Sequence, residues 1–275
     1  MNIYCGSKNN MIKDDLSIVI FGYDPYAGCW PAFEYFANKN LPTNEIETFF
    51  VSGEKPYISS CGIKSLLSKD LSFSSRLESA LENIKTKYVL ILLEDYLPYK
   101  TIKVNELNKM VSLLRDKNID FLQIDNISEI PNKKAKKEDF KTIRKRRKHY
   151  LINLQPSIWK VETLKSTLPA EYKNLFEFET KINKNSIIEN WEIFKLKPLL
   201  NSFANLIIKG KMNFYVHRHL IEKNNLDVVD FKITSKCEIK KIIFIRFLLK
   251  ITPSFIRRFV KKIGRAFGKK YYSDS

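Results

Sequence analysis

The segment YVLILLEDYL, residues 88–97, constrains the fold more than any other part of the chain. Residues 88–93 are all apolar or aromatic, which is typical of a short β-strand that is covered on both faces. Such strands lie in the middle of parallel sheets. Glu94 and Asp95 follow at once, so we expect two carboxylates at the carboxyl end of a central strand. In open α/β sheets this is the edge that binds ligands.

Other segments alternate between strand-like and helix-like patterns. Residues 71–85 carry an apolar stripe at helical spacing, which predicts an amphipathic helix with Ser72 as its N-cap. In chain order, the patterns predict strands at 16–23, 45–52, 88–93 and 119–125 and helices at 29–39, 71–85 and 104–117. This alternation predicts an α/β fold with an open, mostly parallel central sheet and helices on both faces.

The formal net charge of +18 is concentrated in two segments. Residues 132–148 hold ten Lys and Arg against two acids, and residues 236–270 hold twelve against one. The rest of the chain is therefore nearly neutral, whereas a nucleic-acid-binding fold usually carries a basic patch on its body. We expect no nucleic-acid partner. A nucleic-acid-binding protein that uses these two segments is the alternative from another functional class.

Three features bear on the compartment. The first residues lack the apolar stretch of a signal peptide, and the four cysteines form no CxxC pair. Scattered thiols of this kind are typical of a reducing compartment. No apolar run reaches the ~18 to 20 residues of a membrane-spanning helix. Together these features predict a cytoplasmic protein.

The two adjacent acids indicate a kind of chemistry. Neighbouring carboxylates repel each other and are costly to bury without a counter-charge. Mg²⁺ or Mn²⁺, shared between one or two carboxylates and a diphosphate, would supply that charge. The alternative is a turn or a helix cap with both acids in water, and the residues alone leave both possibilities open.

Several stretches, taken in order, resemble one protein family. They are LSIVIFGYDPYAGCWPAF (16–33), the helix with Arg76 before YVLILLEDYL (88–97), LQPSIWK (154–160), FEFE (176–179) and IIKGK (207–211). Over roughly residues 15–225 the chain resembles bacterial glycosyltransferases of the GT-A fold, of the family-2-like kind found in lipopolysaccharide and capsule assembly. The resemblance implies a GT-A-like domain at 1–235, with 132–148 as a basic loop. It also implies a DxD-type acidic motif, whose third acid is replaced here by Tyr96.

The resemblance also implies roles for individual residues. Asp95 and Glu94 would hold Mn²⁺ or Mg²⁺ against the diphosphate of a nucleotide sugar, with Asp95 the better candidate. Donor binding would involve Tyr23, Asp24, Arg76, Gln155, Trp159, Lys209 and Lys211. For four of these a structural role is equally open: a solvated helix arginine for Arg76, a core position for Trp159, and an exposed turn for Lys209 and Lys211.

An inverting sugar transfer needs a carboxylate that accepts the proton of the acceptor hydroxyl. The FEFE stretch offers Glu177 and Glu179, next to aromatic residues that raise a carboxylate's pKa by limiting its hydration. The resemblance favours Glu179, and Glu177 is the alternative. A helix with both acids in water is the structural interpretation of the same stretch.

The C-terminal segment, residues 236–275, has a different character. Within it, residues 239–270 combine apolar positions at helical spacing with many Lys and Arg, a pattern typical of helices that lie on anionic membranes. We therefore expect a basic amphipathic tail that binds the membrane surface. A basic helix docked on the protein's own body is the alternative.

These observations predict a glycosyltransferase that is peripheral on the inner face of the cytoplasmic membrane. It would transfer a hexose-type sugar from a nucleotide-sugar donor to a glycan or lipid-linked acceptor in bacterial surface polysaccharide synthesis. Because the acidic motif is altered, a catalytically inactive GT-A relative that acts as a scaffold is a further alternative.

Overall fold

The computed structural model describes residues 11–131, 140–145 and 151–252, apart from residues 69, 71 and 169. Within these residues the strands are β1 (Leu16–Phe21), β2 (Thr48–Ser52), β3 (Lys64–Leu67), β4 (Tyr88–Leu93), β5 (Tyr96–Pro98), β6 (Phe121–Gln123), β7 (Lys141–Arg144), β8 (Ser157–Lys160), β9 (Ile193–Lys197), β10 (Phe203–Asn205), β11 (Ile207–Ile208) and β12 (Lys211–Met212). The helices are α1 (Met11–Asp15), α2 (Trp30–Asn40), α3 (Phe73–Asn83), α4 (Val104–Asp116), α5 (Val161–Lys165), α6 (Leu175–Lys184), α7 (Phe214–Val216) and α8 (Lys236–Ile251).

Eight strands form one sheet in the order β3-β2-β1-β4-β8-β6-β9-β7. The neighbours β3, β2, β1 and β4 run parallel to one another, and β6 runs parallel to β9. Strand β8 is antiparallel to both β4 and β6, and β7 is antiparallel to β9 at the sheet edge. The prediction of an open, mostly parallel sheet is confirmed.

Helices cover both faces of this sheet. Ile20 of β1 is in register with Phe50 of β2, so these two side chains share a face, and Phe21 points to the other face. Phe50 contacts Phe33 of α2, with ring centroids 6.2 Å apart, while Phe21 contacts Phe73 of α3 at 5.0 Å. Helices α2 and α3 therefore pack on opposite faces, which explains why β1, β2 and β4 are buried along their whole length.

Helix α3 also begins as the sequence predicts. The Ser72 side chain accepts a hydrogen bond from the backbone N–H of Ser75, which satisfies a donor left unpaired at the first turn. The apolar positions of the helix, among them Phe73 and Leu77, are buried, and so is Arg76. The helix thus delivers one charged side chain to the sheet edge along with its apolar face.

Two segments singled out in the sequence contain strands that the sequence patterns did not predict. The stretch LQPSIWK contains β8, which inserts between β4 and β6 and reverses the strand direction there. Residues 141–144, within the predicted basic loop 132–148, form the edge strand β7 on β9. Residues 132–139 and 146–150 of that loop lie outside the described part of the chain.

The C-terminal segment begins with a described helix. Ser235 and Glu238 form a reciprocal capping box at the first turn of α8, and Ile239 is fully buried. A 2.9 Å ion pair between Lys211 and Glu238 links the same turn to the β11–β12 hairpin. Residues 253–275 of the predicted tail lie outside the described residues. Among the helices that the structure describes, none is both long and apolar enough to cross a membrane.

Candidate active site

The loop after β1 and the turn after β4 meet at the carboxyl edge of the sheet. The backbone N–H of Tyr23 donates a 2.9 Å hydrogen bond to Oε1 of Glu94, whose side chain is 3% exposed. Burial, together with the charge of Asp95, raises the pKa of Glu94 well above its usual value. Glu94 is thus the buried member of the acidic pair, and its carboxylate already accepts a hydrogen bond from the protein backbone.

Arg76 of α3 is the cation next to Glu94. Its guanidinium is buried and donates a hydrogen bond to the carbonyl oxygen of Gly22. Burial lowers the pKa of Arg76, and the charges of Glu94 and Asp24 oppose that shift. The described contacts of Arg76 therefore lie inside the protein, at the base of the site.

Asp24 organises the loop that follows β2. Its carboxylate accepts hydrogen bonds of 2.7 to 3.0 Å from the backbone N–H groups of Gly53, Glu54 and Lys55. These bonds lower the pKa of Asp24, since they outweigh the effect of burial. The neighbouring Tyr23 is 44% exposed, and its ring meets that of Tyr26 edge-on at 5.2 Å. Of this pair, Tyr23 presents its side chain to solvent.

Asp95 is the half-buried member of the acidic pair. Its backbone carbonyl accepts a 2.8 Å hydrogen bond from Leu206, which ties the β10–β11 segment to the site. Burial raises the pKa of the Asp95 carboxyl to about 7, against the effect of its own backbone N–H. Within the described residues there is no cluster of three or more His, Cys, Asp or Glu that could hold a metal ion.

Tyr96, the residue directly after the acidic pair, connects two parts of the candidate site. It lies in β5, pairs with Asn205 of β10 and is 6% exposed. Burial raises the pKa of Tyr96, and the charges of Asp95, Glu179 and Glu94 raise it further. The acids after β4 and the acid on α6 therefore act on the same phenol from two different elements.

Glu179 of α6 is half-buried, and its Oε1 accepts a 2.6 Å hydrogen bond from the backbone N–H of Leu154. Burial raises the pKa of Glu179, whereas the Leu154 N–H and the Lys145 ammonium lower it. Glu177 lies about 200° away around the helix axis. It accepts from the backbone N–H of Lys173 and forms a 2.9 Å ion pair with Lys181. Of the two, Glu179 is the one whose charge acts on Tyr96, the residue after the acidic pair.

The two predicted sugar contacts differ in position. Gln155 is half-buried, and its side-chain oxygen accepts a 2.8 Å hydrogen bond from the backbone N–H of Ile127. Trp159 is fully buried, bonds to the Ser157 hydroxyl through its indole N–H, and packs edge-on against Phe121 at 4.7 Å. An indole enclosed in this way has no ring face for a sugar. Trp159 is therefore a core residue, and we leave it out of the proposed site.

The KGK stretch forms the turn between β11 and β12. Lys209 and Gly210 have φ values of 52° and 73°, the left-handed conformation that a tight two-residue hairpin requires. Lys209 is exposed at this turn, while Lys211 forms the ion pair with Glu238. The Leu206–Asp95 bond holds the start of the hairpin beside the acidic pair.

Two charged residues near this edge were not predicted from the sequence. Asp125 follows β6, is fully buried, and accepts backbone hydrogen bonds from Asn126, Asn201, Ser202 and Phe203. Burial raises its pKa to about 6 in spite of these bonds. Lys145 follows β7 inside the basic segment. An acid at the carboxyl end of the predicted strand 119–125 was the available signal for Asp125, whereas nothing local distinguishes Lys145 from the basic residues around it.

No protein-family model matches the chain, and no curated protein sequence matches it. Similar solved structures include S. aureus TarS 1–349 in complex with UDP-GlcNAc, which is 14% identical with a TM-score of 0.45, the match covering 72% of this chain and 60% of that one. Another is the mannosyltransferase PcManGT from Pyrobaculum calidifontis in complex with GDP-Man and Mn²⁺, which is 9% identical with a TM-score of 0.44, covering 76% and 62%.

A cytidylyltransferase from Leptospira borgpetersenii serovar Hardjo-bovis is also similar, with 10% identity, a TM-score of 0.43, and coverage of 80% of this chain and 99% of that one. Structures solved with a bound nucleotide sugar are thus among the similar structures. The chain spans less than two thirds of the TarS and PcManGT chains. A likeness of this strength does not identify an activity.

Proposed function

We propose that the protein is a glycosyltransferase that uses a nucleotide-sugar donor. The observation that supports this most directly is the position of Tyr96. The half-buried carboxyls of Asp95 and Glu179 come from different elements, and both raise the pKa of this one phenol. Two carboxyls near a common residue at the carboxyl edge of an α/β sheet suit a reaction with two acidic groups. One carboxylate would bind the cation that neutralises the phosphates, and the other would accept a proton.

The residues present fit a divalent cation that is held mainly by substrate. Mg²⁺ and Mn²⁺ are commonly bound by one or two carboxylates together with substrate phosphates. Asp95 can offer such a carboxylate, whereas Glu94 is buried and already accepts the Tyr23 N–H. When bound, the cation would act as a Lewis acid that stabilises the leaving diphosphate. Asp95 is accordingly the proposed ligand, and Glu94 supports it from behind.

The donor would lie across the loops at the same edge. The exposed ring of Tyr23 is a surface on which a nucleotide base can stack. Asp24 would act indirectly, because its carboxylate holds the backbone of residues 53–55. Arg76 would act in the same way, through the position of Glu94. Lys209 at the hairpin turn can reach phosphate oxygens, and the Gln155 amide can meet sugar hydroxyls.

Glu179 is the proposed general base. Its Oε1 is held by the Leu154 N–H, so its other oxygen can accept the proton of an acceptor hydroxyl. Partial burial keeps its pKa above the usual range of a glutamate, which brings it closer to the pH at which a base works efficiently. The acceptor hydroxyl would then attack the anomeric carbon as its proton moves to Glu179.

The acceptor that we propose is a glycan or lipid-linked precursor of a bacterial surface polysaccharide, processed at the inner face of the cytoplasmic membrane. Helix α8 supports a membrane contact, because Phe244, Ile245 and Leu248 are 59%, 44% and 39% exposed. Lys240 and Lys241 on the same helix are exposed as well. Apolar side chains beside cations are suited to an anionic lipid surface.

A ligand panel tests the donor class directly. Thermal unfolding of the full chain should be measured with UDP-, GDP-, CMP- and dTDP-sugars, each with and without Mn²⁺. A ligand that binds only the folded state raises the melting temperature, so one nucleotide class should stabilise the protein, and more strongly with Mn²⁺. If none of the panel stabilises the protein under either condition, the proposed function is wrong.

A further inference from the structure

Lys145, the first residue after β7, is held in place by β6 and β9. Its backbone N–H donates a 2.8 Å hydrogen bond to the carbonyl of Ile193 in β9. Its ammonium group donates a 3.1 Å hydrogen bond to Oε1 of Gln123 and lies 5.4 Å from the ring centroid of Phe121. Gln123 and Phe121 are two residues apart on β6 and therefore point to the same face. The ammonium is thus fixed over one face of the sheet.

The orientation of the Gln123 amide is also fixed. Its NH₂ group donates to the carbonyl oxygen of Asp125 at 3.0 Å and to the side-chain oxygen of Asn126. With both acceptors on that side, the amide oxygen must point toward Lys145. A chain of polar contacts therefore runs from the loop after β6 to the Lys145 ammonium.

Phe121, under this ammonium, packs on Trp159 of β8, and Trp159 packs on Phe178 of α6. The ammonium and α6 therefore lie over the same face of the sheet. Glu179, the residue after Phe178, interacts electrostatically with Lys145.

The groups that face this pair are few among the described residues. Lys145 and Tyr96 interact electrostatically with Glu179, while Glu179 and Lys195 of β9 interact with Lys145. On α6 itself, Glu177 and Lys181 are paired with each other. Burial and the like charge of Lys195 lower the pKa of Lys145 to about 8, and Glu179 opposes that shift. Lys145 is therefore still mostly protonated at neutral pH.

We infer that Lys145 is a positioning residue that keeps the Glu179 carboxylate ionised and in place to accept a proton from the acceptor. A half-buried carboxyl without this neighbour would hold its own proton more tightly and would be a base only at higher pH. The inference rests on the proposed function for the role of Glu179. The electrostatic interaction between Lys145 and Glu179 is a property of the free protein and can be tested without substrate.

The test is a ¹³C NMR titration of the glutamate side-chain carboxyls in the full chain, with the Glu179 signal assigned by its absence in Glu179→Gln. In Lys145→Met the titration midpoint of Glu179 should rise, since the positive charge of Lys145 favours the ionised form of the Glu179 carboxyl and burial opposes it. Lys145→Arg should keep the parent midpoint. Lys145 borders a cavity of about 170 Å³ that is also lined by Trp191 and Leu151, so the longer side chain has room.

Two further variants make the result specific. Lys195→Met removes a neighbouring charge that acts on Lys145 but not directly on Glu179, so it should leave the Glu179 midpoint low. Lys145→Gln keeps a polar group against Gln123 and provides the same measurement if Lys145→Met does not melt cooperatively. An unchanged Glu179 midpoint in both Lys145→Met and Lys145→Gln would overturn the inference.

Kinetics then separate this inference from the proposed function. With a donor identified by the panel, the acidic limb of the rate of donor turnover should move to higher pH in Lys145→Met by the same amount as the NMR midpoint. A limb that stays in place would remove Lys145 from the mechanism and leave the proposed function standing. If instead Glu179→Gln turns over like the parent, the assignment of the base fails, whatever the titration shows.

Discussion

The backbone N–H of Tyr23, in the loop after β1, donates a 2.9 Å hydrogen bond to the Glu94 carboxylate, in the turn after β4. This bond engages Glu94 and not Asp95, so the two acids of the pair have different surroundings. Glu94 is 3% exposed, lies beside the buried Arg76, and ties two neighbouring strand ends together. Asp95 is only half-buried, so it is the more accessible acid of the pair. Two adjacent acids thus differ in burial and in hydrogen bonding, and we expect them to differ in role.

The first prediction separates these two acids. Asp95→Asn should abolish Mn²⁺-dependent binding of the nucleotide sugar and leave the free energy of unfolding within about 0.5 kcal/mol of the parent, since it changes a charge at a strand end and not the core. Glu94→Gln should keep Mn²⁺-dependent binding and lose about 1–3 kcal/mol of stability, because it replaces the buried carboxyl that accepts the Tyr23 N–H and lies beside Arg76. Calorimetric titration and urea unfolding measure the two effects. Unchanged donor affinity in Asp95→Asn would exclude it as a metal ligand.

The second prediction compares the two acids of FEFE. Glu179→Gln should lower turnover at least ~100-fold, the usual contribution of a general base, while donor affinity stays at the parent value. Glu177→Gln is the matched control, because it makes the same change on the opposite side of α6 and should keep turnover. Both variants need initial rates and donor affinities at one pH. Turnover of Glu179→Gln within a few-fold of the parent would show that another group accepts the proton.

The pH dependence of turnover follows from the same residue. Burial raises the pKa of Glu179, and a base must be ionised to act. Turnover should therefore rise with pH through a midpoint above the ordinary glutamate value of about 4.3. The same limb should be absent from the residual activity of Glu179→Gln. A parent rate that is flat from pH 4 upward would contradict a half-buried glutamate as the base.

The fourth prediction concerns Asp125, which fixes the backbone of residues 201–203 beside the candidate site. Its carboxylate accepts four backbone N–H groups, three of them from residues 201–203 just before and within β10. Asp125→Ala should cost at least about 2 kcal/mol, because it leaves several buried donors unpaired. Asp116→Ala, at the exposed end of α4, is the control and should change stability by less than about 0.5 kcal/mol. Equal urea midpoints for the two variants would contradict this account.

The local elements were predictable because their signals are local. The apolar runs of β1 and β4 and the stripe of α3 with its Ser72 cap appear in the structure at nearly the predicted bounds. Strand β8 was missed, since its four residues carry no period of their own and its place depends on pairing with β4 and β6, which are distant in sequence. The same limit explains Trp159. A tryptophan after a glutamine and a proline suits a sugar site, and only the tertiary packing shows that its ring is enclosed.

The site was predictable to the same extent. Acids at strand ends can be located from the sequence, so Glu94 and Asp95 were found. Which of them faces inward depends on the Tyr23 hydrogen bond, a contact between residues 71 positions apart. Lys145 could not be predicted at all. Its contacts are with Gln123 and Phe121 on β6, and it interacts electrostatically with Glu179 on α6; none of these residues is close to it in sequence.

The last prediction concerns the membrane. The full chain should sediment with vesicles that contain anionic lipids and far less with neutral ones, while a chain that ends at residue 235 should bind neither. Replacing Phe244, Ile245 and Leu248 with Ser should weaken binding even at low salt, since these exposed side chains supply the apolar part of the contact. Ile58→Ser is the control, because Ile58 is 86% exposed in the loop between β2 and β3, far from α8 in sequence.

Salt acts on the cationic part of the membrane contact alone, with a screening length of ~8 Å at physiological strength. Raising salt should therefore weaken the parent only in part and the triple variant almost completely. Equal partitioning of the full and shortened chains would assign α8 to a protein partner or to the protein's own body.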